Sequence, residues 1–367
     1  MEEFDINKVE DVLWSLTEIC NLKCIYCSVE AGPYAPVIEP SKAEIDHILK
    51  QLRKLPNLKS LILSGGEALL SRNLPYALGE ASSLCPNIYV ITNGVKLPSK
   101  AVDTLRFHRP TVMVSIDSTN ESINKYTRGA GILEKTLLTL KPLQSMDLPV
   151  VVISVVTRFN INGIKEDLTF LYNFGIRNVL LQQLHCEGRA DADLYIQLSP
   201  NPEQIDALYK ILNEFEECYP DMNIDYNEIC FFPMRKAAYA KKCDPALNYK
   251  PQKLFMCGAG FNFFAIKTNG DVIPCNALRT CIFGNLLKED IIDILESSEE
   301  AMNVRRFRSL RVDSIAECED CIYSPICDGG CRADVLHLTG NILVKHPYCN
   351  IKRKNNHTIL NRDIDED

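Results

Sequence analysis

The chain of 367 residues lacks the long apolar run that a membrane span requires. Its longest such stretch, residues 148–156, falls well short of the roughly 20 residues that a transmembrane helix needs. The start, MEEFDINKVED, has neither the basic nor the apolar region of a secretory signal. We therefore expect a soluble, cytoplasmic protein with no membrane partner.

Clusters of positive charge are also missing. The chain carries 40 Lys and Arg against 48 Asp and Glu, a net charge of −8, and its longest basic block is the KRK at 352–354. Proteins that bind nucleic acid usually present a basic patch to the phosphates. The composition therefore gives no support to a nucleic-acid partner.

Cysteine, by contrast, is abundant, with 16 in the chain. In a protein without a secretion signal the thiols stay reduced, so metal binding or catalysis explains them better than a disulfide framework. At roughly 100 to 200 residues per domain, the length predicts two domains or one large α/β domain with an appendage.

The first half of the chain alternates strand-like and helix-like segments. Six apolar, β-branched runs are typical of buried strands, at 12–16, 58–63, 88–91, 111–116, 150–156 and 179–184. Between them lie amphipathic stripes typical of helices, formed by Ile45, Ile48, Leu49 and Leu52, by Ile132, Leu133, Leu137, Leu138 and Leu140, and by Leu168, Phe170, Leu171 and Phe174. Apolar strands joined by helical crossovers pair in parallel. The pattern predicts a barrel-like or doubly wound α/β sheet.

The second half changes in character. Residues 200–218 indicate one more helix, with Ser199 as its N-cap. Nine of the 16 cysteines lie between Cys243 and Cys349, where helical periodicity persists mainly at 291–308. This composition predicts a small domain held together by metal, followed by a loose, charged tail at 351–367.

Three cysteines directly follow the first predicted strand. The segment TEICNLKCIYC places Cys20, Cys24 and Cys27 at C-x3-C-x2-C. Three thiolates suit a [4Fe-4S] cluster whose remaining iron is open to substrate or cofactor; a zinc site with a distant fourth ligand is the alternative. In a parallel barrel this loop opens at the carboxyl ends of the strands, where such barrels carry their chemistry.

Polar, glycine-containing segments end the next three strands on the same face. They are Ser64-Gly65-Gly66-Glu67, Thr92-Asn93-Gly94 and Ser115-Ile116-Asp117-Ser118. In this order with the cysteines, across roughly residues 10 to 190, they resemble the radical S-adenosylmethionine (SAM) enzymes. The resemblance implies a partial (β/α)6 barrel whose open iron is chelated by SAM. Electron transfer to the sulfonium then releases methionine and a 5'-deoxyadenosyl radical that abstracts hydrogen.

The resemblance also implies roles for single residues. Gly65 and Gly66 let the backbone approach the methionine moiety, and Glu67 suits its ammonium group. Tyr26, between the second and third cysteines, lies against adenine by analogy. The family often reads GGEP, and Ala68 stands here in place of the proline. The role of the glutamate survives that change.

Further cofactor contacts follow from the same resemblance. Ser115 and Asp117 reach the nucleoside or the substrate, although Asp117 equally suits the cap of the following helix. The remaining candidates are Thr92, Asn93 and Gln182, together with Thr157 and Asn160 after the fifth strand. Thr157, Asn160 and Gln182 equally suit ordinary loop or core positions with satisfied hydrogen bonds.

The second group of cysteines has its own spacing. Cys257 is followed by Gly270 and Cys275, and ECEDCIYSPICDGGCRAD places Cys318, Cys321, Cys327 and Cys331 at C-x2-C-x5-C-x3-C, with Cys349 beyond. The pattern resembles the SPASM domain of radical SAM enzymes, which carries two auxiliary Fe-S clusters; a pair of zinc sites is the alternative. By resemblance Cys257, Cys275 and Cys331 hold auxiliary cluster I, and Cys318, Cys321, Cys327 and Cys349 hold auxiliary cluster II.

Auxiliary cluster I lacks one matched ligand. Some relatives supply a cysteine six residues after the first, where this chain has Phe263. The fourth ligand is then Cys243 or Cys281, or an iron stays open. The segment TNGDVIPC predicts a hairpin corner at Gly270 that returns Cys275 to the cluster.

Four cysteines have no suggested role in these motifs, and one histidine lies close to the expected active site. Cys85, Cys186, Cys218 and Cys230 have no motif partner, and we expect small buried apolar residues there. His185, just after the sixth strand, is either a substrate contact or an ordinary loop histidine. The domain boundaries we expect are 8–190 for the barrel, 191–250 for a bridging helical region, 251–350 for the SPASM domain and 351–367 for the tail.

The resemblance implies an enzyme with three [4Fe-4S] clusters and S-adenosyl-L-methionine as cofactors. Auxiliary clusters accept single electrons, which favours oxidative cross-linking or dehydrogenation of a ribosomally made peptide. The same chemistry on a sugar, an antibiotic precursor or a tetrapyrrole side chain is the alternative, and a non-enzymatic electron carrier or zinc-stapled scaffold is a third.

The partners we expect are a peptide or small-molecule substrate and a flavodoxin- or ferredoxin-type reductant. Because Cys20 stands so close to the first residue, no precursor-recognition domain fits ahead of the barrel. A separate leader-peptide-binding protein, or recognition of the core peptide itself, is then required.

Overall fold

The structure is a computed structural model, and it describes residues 5–226, 258–321, 324, 327 and 329–349. Within this part the strands are β1 (Asp11–Ser15), β2 (Ser60–Ser64), β3 (Asn87–Thr92), β4 (Thr111–Ser115), β5 (Val150–Val156), β6 (Asn178–Gln183), β7 (Asn223–Asp225), β8 (Phe263–Ile266), β9 (Asp271–Ile273) and β10 (Gly284–Asn285). The α-helices are α1 (Lys42–Leu52), α2 (Leu74–Ala81), α3 (Ser99–His108), α4 (Glu121–Thr127), α5 (Ile132–Ser145), α6 (Ile164–Asn173), α7 (Ala192–Leu198), α8 (Pro202–Cys218), α9 (Ile291–Ser297), α10 (Glu299–Arg308) and α11 (Arg332–Thr339).

Strands β1 to β6 form the parallel centre of one sheet. Each strand pairs with the next along the chain, and helices α1 to α6 supply the crossovers between them. Because the strand order never reverses, the sheet is wound in one direction, as in a partial barrel, and is not doubly wound. The predicted partial (β/α)6 fold and all six predicted strands are confirmed.

The C-terminal part extends the same sheet. Strand β8 pairs in parallel with β1, while β9 and β10 add antiparallel strands beyond it. The predicted hairpin corner is confirmed, since Gly270 joins β8 to β9 with a φ of +87° and a Cβ there would lie 2.9 Å from Leu287 Cγ. One apolar core contains both Trp14 of β1 and Phe264 of β8. The proposed domain boundaries remain a prediction.

The helix predictions hold with local corrections. The predicted apolar stripe of α1 is buried at all four positions, Ile45, Ile48, Leu49 and Leu52. In the other two stripes Leu138 and Phe170 are exposed, so those predictions are wrong at these two positions. Ser199 does not cap α8: it ends α7, and Asn201 is the cap, because its side chain and that of Gln204 form a reciprocal capping box.

The segment 291–308 forms two helices, because Ser298 ends α9 and caps α10. Residues 192–225, in the predicted bridging region, contain α7, α8 and a short strand, β7, that pairs with β6. The predicted tail at 351–367 lies outside the described residues. In the described part of the chain, no helix has the length and apolar character needed to cross a membrane.

Candidate functional site

The C-x3-C-x2-C loop and the polar ends of the next strands meet at one edge of the sheet. The loop after β2 is bound to the cysteine loop by two backbone hydrogen bonds, from the Gly66 N–H to Thr17 O (2.7 Å) and from the Glu67 N–H to Ile19 O (2.8 Å). The Asn93 amide, after β3, lies 3.6 Å from Cys20 Sγ. Parallel strands have brought together the motifs that the sequence separates by tens of residues.

Gly65 and Gly66 are required by this contact between loops. A Cβ at Gly65 would lie 2.4 Å from Thr17 O, and one at Gly66 would lie 2.3 Å from Ile19 O. Both distances are shorter than any that a side chain tolerates against backbone, and Gly65 also has a φ of +132°. The chain itself therefore needs both glycines, apart from any cofactor that approaches them.

Glu67 is buried and joins the loop after β2 to the end of β3. Its Oε1 accepts hydrogen bonds from the Thr92 hydroxyl (2.7 Å) and the Leu69 N–H (3.0 Å), and its Oε2 accepts one from the Asn93 N–H (2.7 Å). Burial raises the pKa of Glu67, while these hydrogen bonds act in the opposite direction. A carboxylate has about four lone-pair positions, so room remains for a further donor.

We expect Glu67→Gln to lower the free energy of unfolding by about 1 to 3 kcal/mol, the cost of a buried group that loses its partner. Both oxygens accept backbone hydrogen bonds, so the glutamine NH2 must face an N–H donor whichever way the amide turns. Urea unfolding of the metal-free protein measures the change. Glu44→Gln, in the exposed capping box of α1, is the control and should change little; equal effects of both variants would contradict the argument.

The surroundings of Cys20 suit a thiolate that binds a metal. Its Sγ accepts hydrogen bonds from the Leu22 N–H (3.4 Å) and the Asn93 amide (3.6 Å). Burial is the main reason why the pKa of this thiol is raised to about 12, and the charges of Glu67, Cys24 and Cys27 contribute to the increase. A thiol in such a place ionises when a metal supplies positive charge. The donor set therefore fits an Fe-S cluster bound by the three cysteines.

Tyr26 and Asp117 form a buried cluster with Arg128. The sequence analysis did not identify Arg128 as part of the site. The Tyr26 hydroxyl donates to Asp117. The Arg128 guanidinium binds both carboxylate oxygens, at 2.7 Å and 2.9 Å, and both side chains are almost fully buried. Asp117 does not cap the next helix, because Asn120 occupies the cap of α4. Of the two roles considered for Asp117, the helix cap is therefore wrong.

The same cluster is adjacent to the cysteine loop. Burial raises the pKa of Cys24, and the positive charges of Arg128 and Arg189 oppose that change. The Arg128 guanidinium also lies over the Tyr26 ring, 5.9 Å from its centroid. A cation fixed beside a ligand thiol stabilises the thiolate form, which is the form that binds iron.

The other predicted cofactor contacts differ in their surroundings. Thr157 donates to Asn160 Oδ1, while the Asn160 amide donates to Asp117 O (2.7 Å) and Val155 O (2.8 Å), so both side chains are satisfied within the chain. Ser115 ends β4 and Gln182 lies near the end of β6, both half-buried on the edge of the sheet that carries the cysteine loop. The roles of these residues toward SAM remain predictions.

The C-terminal cysteines form two adjacent groups. Cys318, Cys327, Cys331 and Cys349 pack around Val312 and Ile315, and Cys275, Cys281 and Cys331 pack around Ala277, Leu278 and Ala333. Burial chiefly raises the pKa of Cys318 to about 11, and the charges of Cys349 and Cys321 add to the effect, which is the behaviour of neighbouring thiols.

Cys331 belongs to both groups and so lies between them. Of the thiols suggested as the missing ligand, Cys281 packs beside Cys275 and Cys331. Cys243 and Cys257 lie outside the described residues.

The cysteines without a motif partner differ in burial. Cys186 is buried, as expected, and Cys85 is half-buried. Cys218 is exposed at the end of α8, so the prediction of a buried residue is wrong there: it falls on the solvent side of an amphipathic helix. Cys230 lies outside the described residues.

The segment 184–190 after β6, here called the β6 loop, joins the two cysteine regions. Arg189 donates from Nε to Cys24 O (2.8 Å) and from its backbone N–H to Cys27 O (3.1 Å). His185 Nδ1 lies 3.7 Å from Cys331 Sγ. From the sequence, His185 in this loop was either a substrate contact or an ordinary loop histidine. Only the fold shows that the loop contacts both cysteine regions.

Two family profiles match the chain. Residues 14–171 match the radical SAM superfamily, and residues 257–322 match SPASM, an iron-sulfur cluster-binding domain. Both agree with the resemblance that the motifs indicated.

Curated relatives match most of the length of the chain. An AdoMet-dependent heme synthase from Methanosarcina barkeri is 26% identical over 92% of this chain and 95% of its own length. The mycofactocin maturase MftC from Mycolicibacterium smegmatis is 27% identical over 87% of this chain and 77% of its own. The fold is also similar to that of Streptococcus suis SuiB bound to its precursor peptide SuiA, with a TM-score of 0.74, 17% identity and coverage of 94% and 76% of the two chains.

Proposed function

Because the chain belongs to the radical SAM superfamily and carries a SPASM domain, we propose that this enzyme oxidatively modifies a peptide, by cross-linking or dehydrogenation. The observation that carries the proposal is that the β6 loop contacts both cysteine regions, Cys24 through Arg189 and Cys331 through His185. One set of thiols suits the start of a radical reaction, and the other suits removal of the electron that such a reaction leaves behind.

Cys20, Cys24 and Cys27 would hold the first cluster. When bound, a [4Fe-4S] cluster with one open iron supplies an electron to SAM, whose cleavage gives methionine and a 5'-deoxyadenosyl radical. Within the chain, Asn93 and the Leu22 N–H donate to Cys20 and stabilise its negative charge. These three thiols would hold three irons of the cluster and leave the fourth iron for SAM.

Residues around that loop would hold SAM. Glu67 keeps acceptor capacity beside the cysteine loop, which suits an ammonium group. The Tyr26 ring, fixed by its hydrogen bond to Asp117, offers a flat surface for adenine. Gly65 and Gly66 let the loop after β2 pack against the cysteine loop, beside which SAM would bind. Thr92, Asn93, Ser115 and Gln182 complete the proposed contacts.

The second set of thiols would hold two auxiliary clusters. Cys318, Cys321, Cys327 and Cys349 would hold one, and Cys257, Cys275 and Cys331 the other, with Cys281 as its fourth ligand because it packs beside two of them. The Gly329 N–H donates to Cys327 Sγ (3.4 Å), as expected around a thiolate ligand. Such clusters accept single electrons, so a substrate radical formed by hydrogen abstraction can be oxidised to a new bond.

A peptide is the substrate class that the relatives favour. MftC is named as a maturase, and its sequence is similar to this chain over most of the length of the chain. SuiB has a similar fold, and its crystal structure contains its precursor peptide. Cross-linking or dehydrogenation removes two hydrogen atoms in total. This matches one hydrogen atom abstracted by the radical, one electron accepted by an auxiliary cluster and one proton released to solvent.

A tetrapyrrole is the second candidate, and one observation favours it. The heme synthase matches this chain over 95% of its own length, whereas MftC is matched over 77% of its own. Because that relative is named a heme synthase, the test below includes an iron porphyrin.

The experiment uses the full chain, reconstituted with iron and sulfide without oxygen and supplied with SAM and dithionite. The probes are synthetic copies of the short peptides encoded beside its gene and, separately, an iron porphyrin with propionate side chains. We expect 5'-deoxyadenosine release, and a peptide product lighter by two hydrogen atoms in mass spectrometry. A changed porphyrin with unchanged peptides would replace the first candidate by the second.

Cys321→Ala separates the two sets of thiols in the same assay. We expect it to keep some SAM cleavage but to form no product, because it damages only the proposed auxiliary cluster II. Cys218→Ala, which removes an exposed thiol outside both groups, is the matched control and should form product. Full product formation by Cys321→Ala would rule out a requirement for auxiliary cluster II in the reaction.

A further inference from the structure

The β6 loop holds the two cysteine regions at a fixed spacing. At one end, Arg189 binds the carbonyls of Cys24 and Cys27. Gly188 packs so closely on the same segment that a Cβ there would lie 2.5 Å from Cys27 O. At the other end, His185 approaches Cys331. A short, well-packed loop therefore contacts a ligand loop of one cluster and a ligand residue of another.

His185 is held against Cys331 by a carboxylate. Its Nδ1 lies 3.7 Å from Cys331 Sγ, within hydrogen-bonding range for a sulfur acceptor, and 3.5 Å from Asp334 Oδ1. Asp334 is fully buried one turn into α11, which begins directly after Cys331. The imidazole thus lies between a thiol and a carboxylate, and both attract a proton on Nδ1.

Asp334 is itself fixed from the barrel side. Its Oδ1 accepts from the Cys186 N–H (2.9 Å), and its Oδ2 accepts from the Gln183 amide (2.6 Å) and the Tyr195 hydroxyl (3.3 Å). The end of β6 and α7 thereby hold α11, and with it Cys331, in place. A residue that only contacts substrate does not need such a network. The network suits a residue such as Cys331, whose position must not change.

We propose that His185 is a positioning residue that donates a hydrogen bond from Nδ1 to Cys331 Sγ and thereby raises the reduction potential of the auxiliary cluster bound by Cys331. The inference rests on the proposed function, since it takes Cys331 as a cluster ligand. It assigns to the barrel a direct influence on a cluster of the SPASM domain.

The physical reason is the charge on sulfur. A reduced cluster carries one more electron than an oxidised cluster, and part of that charge resides on the ligand sulfurs. An N–H donor stabilises the more negative state more strongly, so hydrogen bonds to sulfur raise the potential. A higher potential makes the cluster a better acceptor for an electron from a substrate radical.

Direct coordination by His185 is the competing arrangement. Ligand atoms of His185, Cys331 and Asp334 lie within 4.8 Å of one another, as in a mononuclear metal site. Asp334, however, already accepts hydrogen bonds on both oxygens, and Cys331 packs with the thiols of both groups. A hydrogen bond from His185 fits these contacts without taking the carboxylate from its partners.

The test is a redox titration of the reconstituted full chain, followed by electron paramagnetic resonance. Signals that persist in Cys24→Ala are assigned to the auxiliary clusters. We expect His185→Phe, which keeps a ring but has no donor, to shift one auxiliary potential to more negative values. His185→Gln, which restores an N–H donor, should shift it less. His337→Phe is the control, because His337 binds Glu187 of the same loop at 3.3 Å instead, and it should leave the potential unchanged.

Each outcome bears on a different statement. An unchanged potential in both His185 variants would overturn the role of His185 alone. Strong nitrogen coupling to the reduced auxiliary cluster, lost in His185→Phe, would overturn the hydrogen bond in favour of direct ligation. A wild-type chain without any auxiliary signal would overturn the cluster assignment, and this inference with it, even if SAM cleavage by the first cluster persists.

Discussion

Cys24→Ala should abolish reductive cleavage of SAM. Cys24 is one of three thiols on a loop at the strand ends, and its loss leaves only two ligands for a cluster that needs three. Even residues one shell beyond a metal ligand commonly cost about 10 to 100-fold when they are changed, so we expect a loss of at least about 100-fold. The release of 5'-deoxyadenosine from SAM and dithionite measures it.

The iron content gives an independent readout for the same variant. Reconstituted Cys24→Ala should contain about four fewer irons per chain than wild type, since only the first cluster is affected. Cys218→Ala removes an exposed thiol at the end of α8 and should match wild type in both measurements. Full SAM cleavage by Cys24→Ala would show that the first triplet does not hold the cluster.

Arg128→Met should destabilise the fold by about 3 to 5 kcal/mol, the usual cost of removing one partner of a buried ion pair. Arg128 and Asp117 are almost fully buried and share two hydrogen bonds, at 2.7 Å and 2.9 Å. Methionine occupies a similar volume but leaves the carboxylate without its cation. Urea unfolding of the metal-free protein, followed by the fluorescence of the single tryptophan, Trp14, measures the loss.

Two further variants define what that result means. Arg177→Met breaks an ion pair with Asp221 at the surface, where such pairs contribute about 0 to 1 kcal/mol, so its effect should be small. Asp117→Asn combined with Arg128→Met removes both charges and should recover part of the lost stability. If Arg128→Met and Arg177→Met had equal effects, burial of the Arg128 pair would not matter to the fold.

Local sequence patterns were sufficient for the barrel and its motifs. A strand covered on both faces needs an almost continuous apolar run, and the six runs coincide with β1 to β6. The residues that end such strands must be polar or glycine, which is why Glu67 and Asn93 stand out in the sequence. Burial is harder to predict at the edge of the apolar face of an amphipathic helix, where a single apolar side chain such as Leu138 can face solvent.

Long-range contacts account for what the sequence did not reveal. Arg128 lies in a loop after α4, and nothing near it in the chain indicates that it pairs with Asp117. Likewise, β8 pairs with β1 although roughly 250 residues separate them along the chain. Neither contact has a periodic or spaced signature, because each depends on how separate segments fold against each other, even where the partners are only 11 positions apart, as for Arg128 and Asp117.

By itself, the sequence determined the six parallel strands of the barrel, the three-cysteine loop and the cysteine-rich C-terminal part, because periodicity and spacing are local properties of a chain. Only the tertiary structure decided that the β6 loop joins the two sets of thiols and that His185 lies between Cys331 and Asp334. Residues 185 and 331 become neighbours only when α11 packs against the end of β6, since that contact is formed by burial and hydrogen bonds between segments far apart in the chain.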